Sequence, residues 1–267
     1  MLILDKGVFM VWWIAIILGC VQGFTEFLPI SSSGHLVLLQ QIFHIENNVI
    51  LFDVVLHLGT LIAVIIIYRK TIWELIKNPF SEKMFLLITG TIPTLIIALL
   101  FKDFFESSFN GSSLIFGFLV TAVFMLICQY VSKKYYLTKQ VNYKTSIIVG
   151  LFQGFAILPG ISRSGSTITS CLVCGVNRKD SAEFSFLLSI PIILASAVYE
   201  CLKIPSAPVT IGFLPLLLGF VFSFITGLIS IKFMLKIIKE SKYHYFAIYL
   251  IILAVFLILN KYVLFLF

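Results

Sequence analysis

Residues 19–34 read GCVQGFTEFLPISSSG, and residues 150–165 repeat them in altered form as GLFQGFAILPGISRSG. The two stretches align without a gap, and eight of the 16 positions are identical. The copies lie 131 positions apart, which is about half of the 267-residue chain. Internal similarity at this spacing predicts that the protein contains two copies of one structural unit.

The composition predicts a membrane protein. Hydrophobic residues make up 60% of the chain and charged residues 12%, against about 25% charged residues in a typical soluble domain. Apolar stretches of about 18–22 residues recur, which is the length of a helix that crosses the hydrocarbon core of a bilayer. The net charge of +7 is distributed one-sidedly, so it reports membrane topology. We predict an all-α integral membrane protein surrounded by membrane lipids, with no nucleic-acid partner.

Each copy begins with a helical run that Pro, Gly and Ser residues interrupt. The resumed apolar pieces have about 10 residues, too few to cross a bilayer at about 1.5 Å per residue. Such pieces are typical of a re-entrant hairpin, whose non-helical tip is buried in protein or faces water. We predict re-entrant hairpins at 8–44 and 145–176. Three transmembrane helices follow each hairpin, at 49–68, 84–101 and 112–131 in the first repeat and at 181–201, 209–231 and 244–266 in the second.

The basic residues predict the orientation. A hairpin returns to its own side and three spans cross the membrane, so the repeats, at 1–131 and 145–267, have inverted topology. Fourteen of the 19 basic residues then fall on one side, four on the other, and Arg163 within the membrane. Cytoplasmic loops are rich in Lys and Arg. We therefore predict that both termini and the first hairpin face outward and that the basic linker at 132–144 is cytoplasmic.

The two tips carry polar residues at membrane depth. Glu26 precedes the first tip, and Arg163 lies in the second tip at the position that aligns with Ser32. An ionisable residue there costs about 2.5–3.5 kcal/mol even on lenient insertion scales, which implies a partner and usually a function. Inverted hairpins meet near the midplane, so one cavity is expected to receive further tip residues from both halves: Ser31, Ser33, Gly34, His35, Ser162, Ser164, Ser166 and Thr167.

These residue types suit phosphate chemistry. Helix N-termini after the tips offer N–H groups to an anion, and Arg163 offers a planar fork for phosphate oxygens. Glu26, with Gln22 one helical turn earlier, is a candidate ligand of a divalent cation, Mg²⁺ or Ca²⁺, because these ions prefer oxygen. His35 is a candidate base or nucleophile, and Ser32 is a candidate nucleophile.

Other interpretations stay open at this point. Serine- and glycine-rich tips also occur in the broken helices of secondary transporters, and a transporter or lipid flippase fits inverted repeats equally well. Alternatively, Glu26 and Arg163 form only a structural ion pair that holds the tips together. Asp53 and His57 lie four residues apart on the first span and share a face, so we predict that they pair with each other or support the tip residues.

The stretches QGFTEFLPISSSGH (22–35) and PGISRSGST (159–167) resemble the two signature motifs of the undecaprenyl-diphosphate phosphatases, the bacitracin-resistance family. The resemblance extends over the whole chain in length, repeat and order of segments. It implies re-entrant hairpins in inverted repeats and an activity that depends on a divalent cation. It also implies that the protein removes the terminal phosphate from a polyprenyl diphosphate lipid at the outer face of the bacterial cytoplasmic membrane. The resulting lipid phosphate is then recycled for peptidoglycan synthesis.

The resemblance also assigns a metal motif. The family's Glu/Gln-x-x-x-Glu pattern falls on Gln22 and Glu26 of this chain. Some members have glutamate where this chain has Gln22. Glu26 is therefore the stronger candidate for a charged metal ligand.

The other functional positions of the family fall on both tips. Its active-site serine falls on Ser32 and its histidine on His35, while its phosphate-binding arginine falls on Arg163. The resemblance thus implies that Glu26, Ser32 and His35 are catalytic. The predicted phosphate-binding set is Arg163, Ser162, Ser164, Thr167, Ser31, Ser33 and Gly34. The sequence does not decide the assembly state, and a homodimer is one form that the prediction includes.

Overall fold

The computed structural model describes residues 11–45, 50–109, 111, 113–203 and 211–266. In these residues the chain forms α-helices and one π-helical turn, and no β-strand, so the all-α prediction is confirmed. The helices in chain order are α1 (Trp12–Phe27), α2 (Ser32–Ile42), α3 (Ile50–Ile67), α4 (Arg69–Lys77), α5 (Glu82–Leu100), α6 (Lys102–Ser108), α7 (Leu114–Lys134), α8 (Tyr143–Phe155), α9 (Arg163–Val173), α10 (Arg178–Lys203), α11 (Phe213–Glu240) and α12 (His244–Leu259), followed by the π-helical turn Asn260–Leu264.

Six of the described helices are long and apolar enough to cross a membrane: α3, α5, α7, α10, α11 and α12. They correspond to the six predicted spans, and the protein is a multi-pass membrane protein. The bounds differ most at α11, which continues to Glu240, beyond the predicted end at 231. This extension carries three exposed lysines, Lys232, Lys236 and Lys239. Long lysine side chains can reach water or lipid head groups from a continuous helix. The predicted repeats also include residues 1–10, 46–49, 110, 112, 204–210 and 267, which lie outside the described residues.

Both predicted helix interruptions are present. In the first, α1 ends at Phe27 and α2 begins at Ser32. Leu28 is extended, with φ −74° and ψ 145°, because the ring of Pro29 disfavours a helical residue before it. In the second, Gly160 has a φ of +91°, a conformation that residues with a side chain rarely adopt. The resumed helices α2 and α9 have 11 residues each, too few to span a bilayer.

Close helix crossings join the two halves. Helix α1 packs on α11, and its repeat equivalent α8 packs on α5. A Cβ atom on Gly23 of α1 would lie 1.9 Å from Thr226 Oγ1, and one on Gly150 of α8 would lie 2.1 Å from the Gly90 carbonyl oxygen. Only glycine permits such approaches. The equivalent helix pairs α1–α11 and α8–α5 are consistent with two related repeats, and the inverted orientation stays a prediction.

Some elements differ from the sequence-based expectation. The short helices α4 and α6 lie between predicted spans, where no helix was expected. The linker predicted at 132–144 is non-helical only over residues 135–142, because α7 continues to Lys134 and α8 begins at Tyr143. Within it the Lys139 N–H donates to the Gly175 carbonyl oxygen at 3.1 Å, which attaches the linker to the end of the second hairpin.

Candidate active site

The two hairpin tips are in contact. Ser164 Oγ donates a hydrogen bond to the Leu28 carbonyl oxygen at 3.0 Å, which joins the second tip to the first. A Cβ atom on Gly34 would lie 2.9 Å from the Cα atom of Gly160, so the tips approach here because neither residue has a side chain. Helix α7 supports the second tip, since Thr121 Oγ1 donates to the Gly160 carbonyl oxygen at 2.9 Å. Residues from both halves of the chain therefore surround one site.

Glu26 is the centre of this site. Its Oε2 atom accepts hydrogen bonds from Ser32 Oγ at 2.6 Å and from Gln22 Nε2 at 3.0 Å. Its Oε1 atom accepts a charge-assisted hydrogen bond from Arg163 Nη2. The Glu26 side chain is 5% exposed and the Arg163 side chain 14%. The three donors orient the carboxylate, and the guanidinium compensates its negative charge.

Ser32 has the geometry of a nucleophile beside its base. It is the first residue of α2, while Glu26 is in the last turn of α1, so the hairpin brings the two side chains together. Their separation of 2.6 Å lies at the short end of the range, about 2.6–3.2 Å, that a nucleophile and its general base require. The Glu26 carboxylate is thus placed to accept the hydroxyl proton if Ser32 Oγ attacks.

Both ring nitrogens of His35 contact other protein groups. Nδ1 lies 2.7 Å from the Ser31 carbonyl oxygen, and Nε2 lies 2.6 Å from the Tyr249 hydroxyl. Because a carbonyl oxygen only accepts, Nδ1 carries the proton and Nε2 accepts from tyrosine. The ring also stacks on Tyr249 with an interplanar angle of 11° and meets the Phe118 ring edge-on. These contacts hold the first tip against α7 and α12.

The two tips use the same helix cap. Ser31 Oγ accepts from the Gly34 N–H at 3.2 Å, and Ser162 Oγ accepts from the Gly165 N–H at 3.1 Å. Each is the N-cap of its resumed helix, α2 or α9, and satisfies one N–H group that lacks an intrahelical partner. The duplicated serines therefore shape the tips, and their contact with phosphate stays a prediction.

Two other predicted phosphate ligands have distinct surroundings. Thr167 Oγ1 lies 2.9 Å from the Arg163 carbonyl oxygen and 2.6 Å from Ser185 Oγ, so it ties α9 to α10. Ser33 Oγ lies 3.4 Å from Ser31 Oγ and borders a cavity. Of these two hydroxyls, that of Ser33 is the one that a ligand in the cavity can reach.

Two buried polar atoms of the site have no hydrogen-bond partner among the residues that the structure describes. They are Arg163 Nη1, which can only donate, and Gln22 Oε1, which can only accept. Buried polar groups are normally paired, so an unpaired one calls for a ligand or water. Arg163 Nη1 suits an anion, while Gln22 Oε1 suits a cation or a donor.

The residues around Glu26 fit a divalent cation. Mg²⁺ is usually bound by one or two carboxylates together with substrate phosphates, and Ca²⁺ also takes amide oxygens. Glu26 supplies the carboxylate, and Gln22 supplies an amide oxygen without a partner. In the described ranges no group of three His, Cys, Asp or Glu residues surrounds a common point. Phosphate oxygens of a substrate would therefore supply part of the ligand set.

His57 lies beside Glu26, which agrees with the alternative that it supports the tip residues. Its Nε2 atom lies 3.8 Å from Glu26 Oε2, and its Nδ1 atom lies 2.7 Å from the Asp53 backbone carbonyl oxygen. The Asp53 carboxylate accepts instead from Gln40 Nε2, at 3.0 and 3.1 Å. The imidazole of His57 therefore bonds the Asp53 backbone rather than its carboxylate, and the ring belongs to the Glu26 site.

A cavity of about 530 Å³ adjoins the site. Ser33 and His57 line the cavity, and His57 also lies 3.8 Å from Glu26, so the cavity is next to the Glu26 site. One wall is apolar and includes Leu36 and Val54. Three further lining residues have carboxyl groups, namely Asp53, Glu106 and Glu200, and two are neutral and polar, namely Gln40 and Ser196.

Residues 15–256 match the family of the bacitracin resistance protein BacA. The chain belongs to this family. The matched range contains both hairpin tips and every site residue described above. The family resemblance inferred from the two tip motifs is thereby confirmed.

Relatives of this BacA family member cover nearly its whole length. The undecaprenyl-diphosphatase of Carboxydothermus hydrogenoformans is 44% identical over 245 residues, which cover 90% of this chain and 94% of the relative. Undecaprenyl-diphosphatase 4 of Bacillus thuringiensis is 40% identical over 253 residues, or 94% of this chain and 98% of the relative. The undecaprenyl-diphosphatase of Methanosphaera stadtmanae is 41% identical over 273 residues, with the same two coverages.

Sequence reasoning missed Tyr249 and left the place of His57 open between two alternatives. His57 is an ionisable residue in an apolar span, which is itself a signal of function, but its spacing from Asp53 suggested a local pair. Tyr249 lies on α12, which is apolar on all sides, so no periodic pattern distinguishes the face that meets His35.

Proposed function

We propose that the protein is an integral-membrane phosphatase that hydrolyses undecaprenyl diphosphate to undecaprenyl phosphate and inorganic phosphate. The relatives' names support the substrate, and the buried Ser32–Glu26–Arg163 arrangement supports the chemistry. This arrangement is the single observation that carries the proposal, because it joins a nucleophile, a base and an anion-binding fork. The product lipid would re-enter peptidoglycan synthesis, and its supply would confer bacitracin resistance.

In the proposed reaction, Ser32 Oγ attacks the terminal phosphorus and its proton passes to Glu26 Oε2. The bond between that phosphorus and the bridging oxygen breaks, and undecaprenyl phosphate leaves. Water then hydrolyses the phosphoserine, which releases inorganic phosphate and restores the Ser32 hydroxyl. Such catalysis depends mainly on positioning and on compensation of negative charge. Both requirements are met by side chains that are already oriented at the tips.

Arg163 and His35 have different parts in this proposal. Arg163 Nη1, which has no partner in the described residues, would donate to a phosphate oxygen while Nη2 holds Glu26. His35 would keep the first tip in shape through Ser31 and Tyr249, although the resemblance implies a catalytic role for it. The first tip thus supplies the reacting groups and the second supplies the anion site.

We further propose that Glu26 and Gln22 hold Mg²⁺ or Ca²⁺. When bound, such an ion would polarise the phosphoryl oxygens as a Lewis acid. All residues of the proposed site come from one chain, so a homodimer is not required for the reaction.

A phosphate-release assay tests the enzyme against the transporter or flippase alternative. We expect the protein purified in detergent, supplied with Mg²⁺ or Ca²⁺, to release phosphate from undecaprenyl diphosphate. A pure transporter has no turnover without two compartments. The Ser32→Ala variant should lose this activity. Ser107→Ala is the matched control, since Ser107 lies on the exposed helix α6 and donates to the Phe104 carbonyl oxygen. Absence of phosphate release by the folded wild-type protein would reject the proposal.

Cysteine labelling tests the proposed orientation in the bacterial cytoplasmic membrane. The distribution of basic residues favours a site that faces outward. In that orientation, Ser107→Cys should react with a membrane-impermeant maleimide in intact cells, whereas Tyr136→Cys should react only after lysis. Both positions are exposed. The background protein needs its five cysteines replaced, because Cys201 is exposed. The reverse labelling pattern would contradict the outward-facing site.

A further inference from the structure

The imidazole of His57 faces a carboxylate without a good hydrogen bond to it. Its Nδ1 atom lies 2.7 Å from the Asp53 carbonyl oxygen, an acceptor, so Nδ1 carries the proton. In the neutral ring Nε2 then presents a lone pair, and this atom lies 3.8 Å from Glu26 Oε2. A positive ion between these two acceptors would stabilise this arrangement.

From this geometry we propose that His57 is a nitrogen ligand of the divalent cation at Glu26. Ligand atoms lie about 2.0–2.2 Å from Mn²⁺-sized or Zn²⁺ ions, so two ligands of one ion are separated by up to roughly 4 Å. The 3.8 Å separation of Nε2 and Oε2 lies within this limit. A hydrogen bond from the other ring nitrogen to a backbone carbonyl is also the usual support of a metal-binding histidine. The inference rests on the cation in the proposed function.

The charges around His57 favour a cation. Glu26 is compensated by Arg163, but the cavity that His57 borders carries further carboxyl groups on its own helix and on helices α6 and α10: Asp53, Glu106 and Glu200. A cleft lined mainly by one sign of charge raises the local concentration of counter-ions. The His57 side chain is 27% exposed, so an ion in the cavity can reach its ring.

A nitrogen ligand changes which metal the site prefers. Carboxylate and amide oxygens suit Mg²⁺, Ca²⁺ and Mn²⁺, whereas imidazole suits transition metals such as Zn²⁺. With Glu26, Gln22 and His57 as ligands, we infer that the protein binds Zn²⁺ more tightly than Ca²⁺ and also holds Mn²⁺ through His57. A site built from Glu26 and Gln22 alone would not show this preference.

Electron spin-echo measurements on bound Mn²⁺ test the inference directly. The full chain, purified in detergent with ¹⁵N-labelled histidine, should show ¹⁵N coupling from a coordinated imidazole. The coupling should disappear in His57→Gln, which keeps a side chain that can bind through oxygen. Calorimetry should show that this variant binds Zn²⁺ about tenfold more weakly or worse, with Ca²⁺ affinity changed less than threefold. The matched control is His244→Gln, because His244 contacts Gln129 at the start of α12.

Each other outcome overturns the inference. Bound Mn²⁺ without histidine coupling in the wild type would leave His57 as an ion-pair partner of Glu26. This result needs no variant, so it holds even if His57→Gln fails to fold. Coupling that survives in folded His57→Gln would assign the nitrogen elsewhere. If phosphate release persists in either case, the proposed phosphatase stands. If the wild type binds neither Mn²⁺ nor Ca²⁺, the cation site is rejected together with the ligand.

Discussion

Glu26→Gln should lower the rate of phosphate release by about 10²–10⁴-fold, the usual contribution of a general base. A carboxamide oxygen can still accept a hydrogen bond from Ser32 Oγ, but it cannot take the proton when that oxygen attacks. The measurement is single-turnover phosphate release by purified protein in detergent, with the melting temperature recorded on the same samples. Because Glu26 compensates the buried charge of Arg163, the variant should also melt at a lower temperature.

A double variant separates catalysis from the ion pair. Glu26→Gln combined with Arg163→Gln removes both charges, so the melting temperature should recover while activity stays lost. Ser32→Ala should lose activity with the ion pair intact, which gives a second independent comparison. If the double variant regained both stability and turnover, Glu26 and Arg163 would be only a structural pair and the catalytic assignment would be wrong.

Arg163→Lys should lose about 10- to 150-fold in phosphate release although the positive charge is kept. Arg163 is proposed to use Nη2 for Glu26 and Nη1 for a phosphate oxygen at the same time. A lysine ammonium is a compact point charge and cannot reproduce the planar fork. Loss of one charge-assisted hydrogen bond corresponds to about 1.5–3 kcal/mol, which gives the expected range of rates. The measurement is kcat/KM with undecaprenyl diphosphate.

Arg178→Lys is the matched control for this substitution. Arg178 is also partly buried and donates through Nε to Ser132 Oγ at 2.8 Å, but it lies at the start of α10, away from the tips. Its replacement should alter the melting temperature more than the rate per folded molecule. Near wild-type turnover of a folded Arg163→Lys protein would argue against direct contact between Arg163 and phosphate.

Much of the fold follows from local features of the sequence. The apolar runs predict the six spans, because the length of a membrane helix is set by bilayer thickness. The positions of Pro29 and Gly160 predict the interruptions, since both act on the backbone of their own segment. Helix ends were less predictable: α11 extends through its lysines to Glu240, because exposed charged residues do not end a helix.

The sequence by itself also determined the chemical content of the tips. Glu26 and Ser32 are six residues apart across one turn, so a short hairpin brings them together, and the internal repeat predicted that Arg163 joins them. These relations are short-range or follow from symmetry between two copies. They could therefore be inferred before any contact between helices was known.

Only the tertiary structure decided which distant residues complete the site. His57 reaches Glu26, and Tyr249 reaches His35, because α3 and α12 pack beside the hairpin with particular faces inward. The inward face of α3 is fixed where it crosses α11, because a Cβ atom on Gly59 would lie 2.0 Å from Ser223 Oγ. Lipid-facing and protein-facing surfaces of a membrane helix are both apolar, so hydropathy does not distinguish them. The physical reason is that packing geometry, rather than polarity, orients helices within a bilayer.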